Sequence, residues 1–263
     1  MKYNMWLMGV VILLLVSCGG QPESADVSVS SSPTSSQPES QPAVQVSSTP
    51  EIKPTETISP TNTALPEGVI FRDDFNGSFQ DGWVWEEEDP AKWTFVNDDG
   101  EQWLQIIGNA GRSNVLKRDL PEGDFAIIAH IKADPHLNFH QANIFVFQDP
   151  ENYIVMNTGY CGPCPVGGFG YFMETVVTGG GRLNHYELPR NESDLDVYLK
   201  IEVADNIISG YYATQPGEWN RIGRFGNFYD LNSIGLSATN SSPPDGTPED
   251  IIARFDYFEV IEP

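Results

Sequence analysis

The sequence predicts an all-β domain over residues 68–263, a two-sheet antiparallel β-sandwich that follows a disordered linker. Three observations predict it. Apolar and polar residues alternate with period two along several runs of strand length. Turn-forming sets of Asp, Asn, Gly and Pro separate those runs at short intervals. No useful length of chain carries apolar residues at three- and four-residue spacing without Gly, Pro or β-branched interruption, so no amphipathic helix is available to form a layer.

The elements follow in chain order. "DFAIIAHIKA" places Phe125, Ile127, Ala129 and Ile131 on one face of a strand and Ile128, His130 and Lys132 on the other. "QANIFVFQDPENYIVMNTGY" reads as a hairpin whose strands join at Asp149-Pro150-Glu151-Asn152. "LDVYLKIEVADNIISGYYA" repeats the plan, with Val197, Leu199, Ile201 and Val203 facing inward and a turn at Asp205-Asn206. "IIARFDYFEVIE" closes the chain with another alternating strand. No internal repeat is evident, so many antiparallel strands packed into a sandwich is the expected architecture.

Two segments of other composition precede this domain. Lys2 is a basic n-region, and Met5 to Val16 is an apolar stretch too short to serve as a permanent membrane helix. It ends in Leu15-Val16-Ser17-Cys18, which resembles the lipobox of bacterial lipoprotein signal peptides. The resemblance implies cleavage before Cys18 and a diacylglycerol on its sulfur. Residues 1–18 are therefore expected to be a lipoprotein signal peptide, and the protein to sit in the bacterial cell envelope, lipid-anchored and facing outside the cytoplasm. Residues 19–67 are Ser, Thr, Pro and Gln with few large apolar side chains, a composition that cannot offset its ordering entropy. A spacer stiffened by proline is expected there.

The formal net charge is −23, most of it carried after Gly68. A surface this acidic repels phosphate backbones and excludes nucleic acid as a partner. It also offers oxygen ligands to a hard cation such as calcium.

"FRDDFNGSFQDGWVWEEEDPAKWTF", "GDFAIIAHIKADPHLNFHQANIFVFQDPENYIVM", "GYYATQPGEWNRIG", "IGLSATN" and "ARFDYFEV" occur in that order from Val69 to Ile261. Together they resemble the concanavalin A-like jelly roll at the C-terminus of family 43 β-xylosidases and in related stand-alone domains. The resemblance implies two curved sheets, an accessory role beside carbohydrate-active enzymes, and a structural calcium near the paired chain ends. Asp73 and Asp74 at the start of the domain and Asp256 in its last strand are the acids it points to, with backbone carbonyls completing the shell. The chain departs from the family at Asn143, where Gly is common, and at an inserted loop containing Cys161-Gly162-Pro163-Cys164.

That CGPC tetrapeptide would suit a redox enzyme if it capped a helix. Here Pro165-Val166-Gly167-Gly168 follows it and β pattern resumes at Phe169. With Cys18 acylated in an oxidising compartment, a Cys161–Cys164 disulfide is the expected state, with a thiol activity, a metal pair or two free thiols as the alternatives.

Glycoside hydrolysis needs two facing carboxylates. Glu86, Glu87, Glu88 and Asp89 read as a solvated edge, and Glu174 is the best-placed strand acid but has no evident partner two residues away. His130, His136, His140 and His185 sit without a nucleophile elbow. No catalytic residue is assigned, and the domain is read as more a binder than an enzyme.

Sugar binding asks for an aromatic platform and amide or hydroxyl groups on one surface. Pairing Gln148 with Tyr153 across the hairpin sets Asn143 opposite Thr158 and Gln141 opposite Tyr160, so that these four share a face. Phe169, Tyr171 and Trp219 are the candidate platforms, while Trp83, Trp85 and Trp93 are expected to pack at the core or sheet edge. The reading that results is a membrane-anchored, extracytoplasmic lipoprotein whose β-sandwich binds a poly- or oligosaccharide without catalysis. A glycoside hydrolase and a protein-interaction or structural surface module are the two alternatives, and the oligomeric state is left open.

Overall fold

A computed structural model of the chain describes residues 65–108, 114–179, 181–240 and 249–263. The expected signal peptide, the expected lipidation site at Cys18 and the linker through residue 64 lie outside the described residues.

Among the described residues the chain forms fifteen strands and no α-helix. They are β1 (Val69–Asp73), β2 (Val84–Glu86), β3 (Trp93–Asp98), β4 (Glu101–Gly108), β5 (Val115–Asp119), β6 (Phe125–Ala133), β7 (His140–Asp149), β8 (Asn152–Cys161), β9 (Gly168–Val177), β10 (Gly181–Pro189), β11 (Asp196–Ala204), β12 (Ile207–Ala213), β13 (Asn220–Gly226), β14 (Ser233–Asn240) and β15 (Ile251–Ile261). A single turn of 3-10 helix, Pro90–Lys92, is capped by the Asp89 carboxylate.

The strands form two sheets. The first runs β13-β12-β11-β6-β15-β4-β3, with β1 also paired to β15. The second runs β10-β9-β8-β7-β14-β5-β2. Every pairing is antiparallel, and the first and last strands of the domain lie side by side. Phe125, Ile127, Ala129 and Ile131 all face the core, as their alternation requires. The β11–β12 hairpin turns at Asp205 and Asn206, both with positive φ (51° and 59°), the tight turn that matches strand twist.

The inner faces of the two sheets meet over Leu104, Ile106, Leu116, Ile144, Leu199, Ile201, Leu236 and Phe255, all fully buried. Each such side chain contributes roughly 1.5–3 kcal/mol by leaving water. Trp83, Trp85 and Trp93 pack against this core from one end, with Trp83 5.1 Å from Phe258 and Trp85 5.1 Å from Trp93 between ring centroids.

The hairpin β7–β8 carries a correction. Phe147, not Gln148, stands opposite Tyr153, which sets Asn143 opposite Asn157 and Gln141 opposite Gly159. The cause is a bulge. Asp149 pairs with Asn152 across a two-residue loop, its carboxylate accepting from the Glu151 amide and from Asn152 Nδ2, and Gln148 is left as the extra residue. Gln148 is held from outside the hairpin: its carbonyl accepts from Asn232 Nδ2 and its Oε1 from the Asp230 amide. A slip of one residue turns every side chain of β8 to the other face.

Candidate functional site

The outer face of the second sheet holds a cleft of about 310 Å³. Its floor comes from alternate residues of β7, β8, β9 and β14, which period-two geometry turns away from the core. Gln141 and Asn143 line it, with Ser237 and Thr239 beside them on β14. Phe145, Phe147 and Val155 continue the floor as an apolar cluster separate from the main core, with Val115 and Tyr153 packed against it. Glu86 closes the cleft on the β2 side, and Glu174 and Arg182 close it on the β9–β10 side.

The polar floor is only partly satisfied within the chain. Asn143 Nδ2 donates to Ser237 Oγ at 3.2 Å and Thr239 Oγ1 at 3.3 Å, and Thr239 Oγ1 donates to Gln141 Oε1 at 3.2 Å. Asn143 Oδ1 and both amide atoms of its cross-strand neighbour Asn157 are buried without a hydrogen-bond partner. Buried polar atoms left in this state mark places where water or a ligand completes the bonding.

The acids of the cleft are neutralised locally. Glu174 Oε1 receives Arg182 Nη1 at 3.0 Å and His185 Nδ1 at 2.9 Å, and His185 Nε2 lies 3.1 Å from Glu187. The partners of Glu174 come from the neighbouring strand, so they escape a search along one strand at i±2. Glu86 is ion-paired with Lys117 rather than standing on a solvated edge with its neighbours.

The remaining candidates from the sequence are placed as follows. Thr158 and Tyr160 do not share the face of Gln141 and Asn143. The corrected register turns Thr158 inward, where its Oγ1 accepts from Arg190 Nη1 at 3.0 Å, while half-buried Tyr160 meets Phe169 edge-on at 5.1 Å and borders the small crevice that Gln141 also lines. Tyr171 is 1% exposed and stacks on Tyr212 at 4.0 Å across the sandwich, so its ring is core rather than platform. Burial pushes its hydroxyl well above the ordinary tyrosine range. Phe169 has the same parity, with the Arg190 guanidinium 5.3 Å from its ring. Trp219 lies between β12 and β13 of the other sheet, beside Lys200.

Cys161 and Cys164 form a disulfide, with Cα atoms 5.3 Å apart. The Gly162 amide donates to Asn138 Oδ1, and both half-cystines line a small crevice with Gln141, Glu174 and Arg182 at the margin of the cleft.

The three acids considered for calcium do not fit as one set. Asp73 accepts from the Phe75 amide, the Gln80 amide and Trp83 Nε1, at 2.8–2.9 Å. Asp74 pairs with Arg72, and Asp256 with His130. Among the described residues no group of three or more His, Cys, Asp or Glu is placed to hold a metal ion.

No protein family matches the sequence of this chain, and no curated protein matches it. Solved structures do resemble it. One is the family 43 glycoside hydrolase BlXynB of Bacillus licheniformis, 16% identical with a TM-score of 0.61 over 73% of this chain and 39% of that one. A second is xylan β-1,4-xylosidase of Bacillus halodurans C-125, 18% identical with a TM-score of 0.58 over 76% and 40%. A third is the family 16 endo-glucanase of Bacteroides ovatus, in complex with G4G3G-2F-DNP, 12% identical with a TM-score of 0.53 over 73% and 100%. This chain thus spans well under half the length of the two Bacillus proteins. The likeness is one of fold, and the sandwich is a concanavalin A-like jelly roll.

Proposed function

We propose that the domain binds a poly- or oligosaccharide in the cleft on the outer face of the second sheet and performs no chemistry on it. The observation that carries this reading is the floor of the cleft, where the unpartnered amide oxygen of Asn143, backed by the buried and unpartnered amide of Asn157, adjoins an aromatic and aliphatic shelf. Sugars present hydroxyls to the first kind of surface and C–H faces to the second. Solved proteins of the same fold that act on glycans support the reading by analogy of fold.

The acids argue against hydrolysis. Glu86 and Glu174 line the cleft from β2 and β9, five strand spacings apart, which is on the order of 24 Å along the sheet. A glycosidase pair stands about 5–10 Å apart. Glu187 is nearer Glu174, but His185 joins the two in one hydrogen-bonded chain, at 2.9 Å from Glu174 and 3.1 Å from Glu187.

The remaining parts of the proposal rest on the sequence. Cys18 carries the lipid that ties the protein to the membrane, on the side away from the cytoplasm, and the Ser/Thr/Pro-rich linker holds the sandwich off the surface. The test is binding to a glycan array together with reducing-end release from xylan, arabinan and β-glucan. Retention without product supports the proposal. Product formation that disappears in Glu174→Gln would replace it with the hydrolase alternative, and no glycan retained with a protein co-purifying would replace it with the interaction-module alternative.

A further inference from the structure

The outer face of the second sheet is laid out in rows, and the rows differ in chemistry. Asn143 on β7 stands between Asn157 on β8 and Ser237 on β14, an amide and hydroxyl row. Two residues along β7, Phe145 stands between Val155 and Gly235, and the next step sets Phe147 against Tyr153. Each step is about 7 Å, so a single sugar residue on the amide row reaches the apolar rows with one substituent.

The apolar rows form a continuous shelf. A Cβ at position 235 would lie 2.1 Å from the Leu116 carbonyl oxygen and 2.7 Å from Phe145 Cζ, so the β5 backbone and the ring of Phe145 together occupy the space a side chain on β14 would otherwise fill. Phe145 and Phe147, and Phe147 and Tyr153, have ring centroids 5.8 Å apart in each case. A bare sugar chain continuing over this shelf would set its hydroxyls against Phe145, Phe147 and Val155, which offer no hydrogen bond, and losing their hydration is costly. An apolar group placed there loses nothing.

Charge narrows the ligand further. Each charged side chain that lines the cleft among the described residues is ion-paired: Glu86 with Lys117, and Glu174 with Arg182. A chain of net charge −23 also disfavours an acidic polysaccharide at a distance.

We infer that the ligand is a neutral glycan bearing an apolar acyl or aryl substituent, with its sugar hydroxyls on Asn143 and Ser237 and the substituent on the Phe145–Phe147–Val155 shelf. This rests on the carbohydrate reading above and names the class of glycan. The unpartnered, buried Oδ1 of Asn143 at the junction of the two rows is the second observation that points to a ligand there.

The experiment is titration of the full chain with matched pairs of oligosaccharides from xylan, arabinan and β-glucan, each O-acetylated or O-benzoylated and then stripped by mild alkali. The acylated member of a pair should bind about tenfold more tightly, the gain expected from burying one such group. Phe147→Ser should reduce that preference to about twofold or less, and the near-isosteric Val155→Thr should reduce it in the same direction. Equal affinity for both members of every bound pair overturns the inference and leaves the carbohydrate reading standing. Binding to neither member of any pair overturns both.

Discussion

The outer faces of the two sheets bear similar residue types and use them differently. On the first sheet the polar groups meet one another. His130 lies between Asp196 and Asp256 and stacks on Tyr198 at 4.3 Å. Asp98 receives both Lys132 and Arg254, and Lys200 pairs with Glu202 while facing Tyr211 and Trp219. Trp103 Nε1 is the exception, buried without a partner. On the second sheet Asn143 and Asn157 leave amide atoms unpartnered, and an apolar cluster lies outside the core. A face whose groups satisfy each other has its own architecture to maintain, whereas a face that leaves them open needs something else to close it. Between two sheets of similar build, eight strands and seven, this difference separates a wall from a site.

The largest effect expected from this contrast is on binding. Asn143→Ala should weaken glycan affinity by about 30-fold, or roughly 2 kcal/mol, because it removes the amide at the junction of the two rows. Tyr198→Ala, on the first sheet, should leave affinity within about twofold. Calorimetric titration of both variants against the same glycan reads the difference, and an equal loss in the two would erase the distinction between the faces.

The next effect is on stability and belongs to the first sheet alone. Burial alone would lower the affinity of His130 for its proton, but hydrogen bonds to Asp196 and Asp256 outweigh it and raise the pKa to about 9. The folded state therefore binds this proton more tightly than the unfolded chain, whose histidine titrates near 6.5. The stabilisation is fully present below pH 6.5, declines as pH rises, and is gone above about 9. After discounting for solvent screening at the half-exposed Asp196, it amounts to roughly 2 kcal/mol. Denaturant unfolding at a series of pH values should show that slope, and His130→Gln should flatten it. Glycan affinity should not follow the same curve, because His130 faces away from the cleft.

What the sequence made legible follows from the same contrast. Alternation is a reliable guide where one face is apolar and the other is not, and β6 and β11 could be assigned a core face directly from it. In β8 and β9 both faces are apolar. Ile154, Met156, Tyr171 and Met173 point inward, while Val155, Phe172 and Val176 point outward. Parity there depends on pairing, and the pairing depends on the bulge at Gln148, whose anchors Asp230 and Asn232 are far along the chain. Alternation within β7 keeps Gln141 and Asn143 on one face, whereas Thr158, expected on that face, and Tyr171, expected as a platform, fold inward. Ser237, Thr239 and Glu174 reach the cleft through cross-strand pairing, which no local pattern encodes.

A smaller effect is expected at the boundary of the cleft. Replacing both cysteines, Cys161→Ser with Cys164→Ser, opens a loop of four residues, and so short a closure limits the loss to about 1–2 kcal/mol. That corresponds to a fall in Tm of about 2–8 °C for a domain of this size. Because the half-cystines line the crevice beside Gln141 and Arg182, affinity should also fall by about two- to threefold. A variant with lowered Tm and unchanged affinity would show that the bond braces the loop without shaping the cleft.

The smallest effect expected is at Trp219, and it tests the contrast from the other side. A tryptophan in a hairpin is an obvious candidate for stacking on sugar, but this one lies on the sheet whose polar groups are already paired, with the Lys200 ammonium 5.1 Å from its ring. A partly buried cation–aromatic contact of this kind contributes about 1 kcal/mol. Trp219→Ala should therefore lower stability by no more than that and leave glycan affinity unchanged. If affinity instead fell about tenfold with stability intact, the first sheet would carry a sugar platform of its own, and satisfied polar pairs would no longer distinguish a wall from a site.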